Sequence, residues 1–157
     1  MPHVTATITT TSTDVPVETI RTLQTELTAV GLPVIGAEAD TTPRFGTDTQ
    51  ARVREYQHQY GLQETGDVDP GTGGLMSLSV LVATESDRSQ LREKLQNAVN
   101  DVPDSPEYNY WLARYAILAG DYGLAARVSP KLKDLSRIRT DLGAITDGLA
   151  SPVPRAP

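Results

Sequence analysis

With 157 residues and 38% apolar content, the chain is long enough to bury one core or two small ones. It has no cysteine, which excludes a disulfide framework and thiolate metal ligation. Its net charge of -6 argues against a partner held mainly through phosphates, because nucleic-acid affinity rests on clustered Lys and Arg.

Residues 1–14 form a Thr-rich leader in which Val4 to Thr9 alternate apolar and Thr, the pattern of a short half-buried strand. The apolar run Leu78 to Val82 is its expected partner. Helix one is expected from about Pro16 to Val30, with Ile20, Leu23, Leu27 and Val30 on one face and Gly31-Leu32 as its stop. Helix two is expected to start at Thr47, capped by its own hydroxyl with Gln50 completing a capping box, and to bury Val53, Tyr56 and Tyr60. Gly61-Leu62 repeats the earlier stop. Asp69-Pro70 then opens a short third helix that carries Leu75 and Met76 into the core, weakened by Gly71, Gly73 and Gly74.

A seam near residue 84 is also a charge boundary. Residues 1–84 hold 4 basic and 10 acidic side chains, whereas residues 85–157 hold 10 of each. Beyond it, Ser86 or Asp87 can cap a helix with the stripe Leu91, Leu95, Ala98 and Val102. Asp104 or Ser105 with Pro106 begins another. Leu112-Ala113, Ala116, Gly120, Tyr122 and Ala125 have the spacing of a tetratricopeptide-like hairpin, with Pro130 interrupting its second helix or tightening its end. A last helix is expected over 132–149, with Leu135, Ile138, Leu142, Ile145 and Leu149 as its stripe. Residues 150–157 are a Pro-rich tail.

Residues from about 15 to 78 also carry an ordered series of short motifs. These are Leu23-Gln24, Gly31-Leu32, Phe45-Gly46, Thr49, Val53, Tyr56-Gln57, Gly61-Leu62, Thr65-Gly66, Val68-Asp69, Thr72 and Leu75. In that order they resemble the small three-helix peptidoglycan-binding-domain-like family. The resulting expectation is a mainly α chain: a peptidoglycan-binding-like bundle over 15–82, then a helical-hairpin domain over 85–149, with room for one short N-terminal strand pair. One departure stands out. The segment from Leu32 to Arg44 is longer than the family's, and its DG pair is replaced by Asp40-Thr41-Thr42-Pro43-Arg44.

No catalytic constellation is legible. His3 and His58 are the chain's two histidines, too few for the usual His-rich zinc pocket. There is no phosphate-cradling Gly loop or GxSxG nucleophile. The acidic residues Asp14, Asp48, Asp67 and Asp69 fall at caps and turns. The expectation is therefore no enzyme, no cofactor and no metal.

The resemblance implies docking to cell-wall glycopeptide through a shallow groove, with Arg44, Asp48, Arg52, Tyr56 and Tyr60 as ligand-binding candidates. The alternative is a structural adaptor in a contractile injection particle or toxin complex. There Tyr110, Trp111 and Tyr122 would be docking candidates, being the aromatic type that dominates interface energy. Neither a Sec signal nor an apolar run of the roughly 20 residues needed to span a bilayer is present. The expected location is cytoplasmic as synthesised, or release as part of a particle, with no membrane insertion.

Overall fold

The computed structural model describes residues 7–102 and 105–128, which are helical apart from loops and one isolated bridge. The helices are α1 (Val17–Ala29), α2 (Thr47–Gln59), α3 (Pro70–Thr84), α4 (Arg88–Asn97), α5 (Pro106–Leu118) and α6 (Tyr122–Val128), with a short 3-10 turn at Ala37–Ala39. They fall into two compact units, the first reaching Ala83 and the second beginning at Thr84.

In the first unit α1 packs on α2, and Leu23, Leu27, Val30, Val53, Tyr56, Tyr60 and Leu75 are buried as their spacing requires. Both Gly stops have the expected geometry. Gly31 and Gly61 lie at φ 87° and 70°, a region other residues enter at a cost. The following amides turn back onto the helix ends, Leu32 N–H to the Leu27 carbonyl at 2.8 Å and Leu62 N–H to the Gln57 carbonyl at 2.9 Å.

Three expectations need correction here. The third helix is not short: it runs 15 residues and absorbs Leu78 to Val82, so that run is no strand. A short apolar run is ambiguous by periodicity alone; here it is buried as the continuation of α3, and its serine and the one before it are accommodated within the helix. Ser77 Oγ donates to the Gly73 carbonyl at 3.2 Å and Ser79 Oγ to the Leu75 carbonyl at 3.0 Å. The leader instead pairs elsewhere, since Ile8 and Val68 form an antiparallel bridge with two reciprocal 2.9 Å hydrogen bonds. Finally, Thr47 does not cap α2. Gly46 stands at the cap position with no side-chain bond of its own, and the free amides are satisfied by a residue from the preceding loop.

The second unit keeps its caps. Asp87 Oδ1 accepts from the amides of Ser89 and Gln90 at 2.9 and 3.2 Å, and Ser105 Oγ from Tyr108 N–H at 3.2 Å, with Pro106 in the first turn. Leu91, Leu95, Ala98 and Val102 are buried. α5 packs on α6, and the small residues Ala113, Ala116 and Ala125 are buried. Arg92 Nε donates to the Ala119 carbonyl at 2.7 Å, tying α4 to the end of α5. The Tyr108 hydroxyl donates to the Ala98 carbonyl at 2.9 Å, and burial, with help from the Asp101 charge, pushes its pKa well above the ordinary tyrosine range. The helix expected over 132–149, Pro130, and the tail lie outside the described residues.

Candidate functional site

Two buried glutamines shape the loops of the first unit. Gln24, on α1, donates from Nε2 to the carbonyls of Glu38 and Arg44 at 2.8 and 3.1 Å and to Thr49 Oγ1 at 3.2 Å. Gln57, on α2, donates from Nε2 to the Asp67 carbonyl at 2.9 Å, Thr65 Oγ1 at 3.1 Å and Thr72 Oγ1 at 3.2 Å, while its Oε1 accepts from Gly66 N–H at 2.8 Å. Each amide thus holds the loop after its own helix and a threonine hydroxyl in the first turn of the next. A buried polar group must find partners, and these two find them in loop carbonyls and in threonine hydroxyls.

Between those helices lies the long segment after Leu32. Its Glu38 side chain is only 4% exposed. The carboxylate accepts hydrogen bonds from the amides of Gly46, Asp48 and Thr49 at 2.9, 2.8 and 2.8 Å, filling the N-terminus of α2. Burial alone would push this carboxyl up, but the amide donors outweigh it and hold it below the ordinary glutamate value. Gly46 makes the approach possible: a Cβ there would stand 2.7 Å from Glu38 Cδ and Oε2. The glycine of the Phe45-Gly46 motif is required by the neighbouring carboxylate, since its φ of -109° is open to any residue.

The residues singled out from the sequence separate into two groups. Arg44 and Asp48 are exposed and Arg52 is half-buried, all on the loop end and outer face of α2. Arg52 is engaged by Glu55 at 2.7 Å. Tyr56 and Tyr60 are in the core, stacked with ring centroids 4.4 Å apart, and the Tyr56 hydroxyl bonds Ser79 Oγ at 2.8 Å. Their ring faces are not presented to a ligand. In the second unit Tyr110 and Trp111 are buried, and the Arg114 guanidinium lies 4.9 Å from the Trp111 ring centroid and 5.5 Å from that of Tyr110. Tyr122, at 54% exposure, is the docking candidate that stays at the surface.

Glu38 has no signal in the sequence. It caps α2 from eight to eleven residues upstream, outside every local capping pattern. Gln24 and Gln57 were visible as motif letters, without their role. Among the described residues no group of three or more His, Cys, Asp or Glu could hold a metal ion, and no helix is long and apolar enough to cross a membrane.

The first unit is thus three helices joined by glutamine-clamped loops, with exposed charged residues beside α2. Residues 17–76 match the family model described as "Putative peptidoglycan binding domain", so this segment carries the peptidoglycan-binding-like fold that the motif order implied. No curated protein and no solved structure matches the chain.

Proposed function

We propose that the chain is a non-catalytic peptidoglycan-binding module that anchors or docks a larger assembly, with its first unit contacting cell-wall glycopeptide. The family match over residues 17–76 carries this reading. The surface beside α2 suits the chemistry. Arg44 can donate in a fork to a peptide carboxylate, and Asp48 can accept from amides and sugar hydroxyls. With Tyr56 and Tyr60 buried, stacking on sugar faces is not expected from them, and the contact is polar. Pelleting of the full chain with purified sacculi tests this. Enrichment over a matched acidic control protein supports it, and equal amounts in the pellet overturn it.

A second reading, the adaptor subunit of a particle such as a contractile injection or toxin complex, is favoured by one observation. Tyr122 opens α6 largely exposed, and Leu118, at the end of α5, is also exposed. Purification of a tagged copy from its host tests it: co-purifying structural subunits that are lost on Tyr122→Ala support the adaptor, and a lone monomer rejects it.

A further inference from the structure

We propose that Glu38 is the positioning residue of the candidate binding surface, fixing Arg44 and Asp48 relative to each other without itself meeting the ligand. The inference rests on the reading that this surface binds glycopeptide.

Glu38 is bonded at both of its ends to the residues in question. Its carboxylate accepts from Asp48 N–H at 2.8 Å, and its main-chain carbonyl accepts from Arg44 N–H at 2.9 Å. The same carbonyl accepts from Gln24 Nε2, which also holds the Arg44 carbonyl. One buried residue therefore links α1, the loop and the first turn of α2. The excursion from Ala39 to Thr42 is exposed at every position. Apart from that base, the excursion is tied by the 3-10 turn bonds from Ala39 N–H to the Gly36 carbonyl and Asp40 N–H to the Ala37 carbonyl, by the Arg21 guanidinium at 3.5 Å from the Thr41 carbonyl, and by Thr41 N–H to Asp40 Oδ1. The geometry of Arg44 and Asp48 is thus set from below, by Glu38 and Gln24, and the side chains are left free for a ligand. Sites of this kind lose affinity when the supporting residue is changed, even though it touches nothing bound.

The test uses the full chain as wild type, Glu38→Asp, Glu38→Gln, Arg44→Ala/Asp48→Ala, and that pair combined with Glu38→Asp. Two readouts are taken at a temperature where circular dichroism shows each variant folded: affinity for purified sacculi and amide hydrogen exchange. Glu38→Asp keeps the charge and draws the loop in by one methylene, so it remains informative if Glu38→Gln does not fold. We expect Glu38→Asp to weaken sacculus binding about tenfold, the equivalent of one charge-assisted hydrogen bond, and to add nothing further once Arg44 and Asp48 are removed. A residue that only stabilises the fold would leave the affinity of each folded variant unchanged, and that result overturns the proposal, as does an equal further loss in the Arg44→Ala/Asp48→Ala background. If wild type itself does not pellet, the functional reading fails on its own, and exchange decides the positioning. Faster exchange in Glu38→Asp confined to the amides of Arg44, Gly46, Asp48 and Thr49 upholds it; unchanged rates there, or acceleration shared with α3, reject it.

Discussion

Replacing Glu38 by Gln isolates the energetic role of a carboxylate that occupies the start of α2. The side chain keeps its length, but one carboxylate oxygen becomes an NH2 that faces an amide N–H and cannot accept from it. Glu38 accepts from three amides, two of them part-buried and one buried, so at least one of them loses its partner. An unsatisfied buried donor costs about 1–3 kcal/mol, and loss of the charge at a helix N-terminus adds about 0.3–1 kcal/mol, more when partly buried. The expected destabilisation is therefore about 1–4 kcal/mol, with about 2 kcal/mol as its centre. For a unit of this size that central value is a fall in Tm of roughly 8–16 °C, at about 4–8 °C per kcal/mol. The pH dependence has a definite sign. The folded carboxyl lies below the ordinary value, so its contribution is complete above an unfolded pKa of about 4.3 and is lost as pH falls through the folded value. The gap between wild type and Glu38→Gln should thus be wide at pH 7 and narrow progressively below pH ~4. Urea unfolding followed by circular dichroism at several pH values measures it. A difference under about 0.5 kcal/mol at pH 7, the level of an ordinary surface change, would refute the capping role.

Gly46→Ala should destabilise by a similar amount, because its Cβ would meet the carboxylate at 2.7 Å; combined with Glu38→Gln the two losses should fall well short of adding, as a double-mutant cycle in urea would show. Gln57→Leu leaves Gly66 N–H and the Asp67 carbonyl without this partner, and should cost about 2–4 kcal/mol, with hydrogen exchange fastest at the amides of 65–67. Glu26 is the opposite of Glu38: burial, only partly offset by donors such as the Ser77 hydroxyl, raises its pKa. Ionised Glu26 therefore penalises the fold as pH rises through the raised value, and Glu26→Gln should raise Tm at pH 7 while leaving it unchanged at pH 3, below the unfolded value of about 4.3. A lower Tm at pH 7 would count against that assignment.

What could be read from the chain beforehand was whatever is local. A helix stop depends on a Gly and the apolar residue after it, and Gly31-Leu32 and Gly61-Leu62 form as that pattern requires. A cap depends on three or four adjacent residues, and Asp69, Asp87 and Ser105 all cap where they stand. Thr47 had the same local credentials and failed, because a carboxylate brings more charge to a helix N-terminus than a hydroxyl can, and Glu38 reaches that position through the fold. The length of α3 was obscured for a related reason. Leu78 to Val82 carries no amphipathic period, and what keeps it helical is tertiary burial, with the serine hydroxyls satisfied by carbonyls of the preceding turn. The candidate site divided along the same line: Tyr56 and Tyr60 followed the core stripe that the helical period had already assigned them, while the residue organising the exposed candidates left no local trace.

The two glutamines explain why the family pattern persists around a segment that departs from it. Gln24 and Gln57 bind mainly carbonyl groups and threonine hydroxyls, so they require a loop to return at a given place and do not specify what it carries in between. After Gln57 the return is short, and Gly66 sits so tightly against α2 that a Cβ would be 2.6 Å from Gln50 Cγ. After Gln24 the constraint ends at Glu38 and resumes at Arg44, leaving Ala39 to Thr42 outside the clamp and exposed. Sequence change in that interval alters charge and shape beside Arg44 and Asp48 without entering the core, whereas change at Gln24, Glu38 or Gly46 removes the platform itself. Substitutions within 39–42 are accordingly expected to alter ligand preference at nearly constant stability, the separation of effects that a binding loop on a rigid scaffold produces.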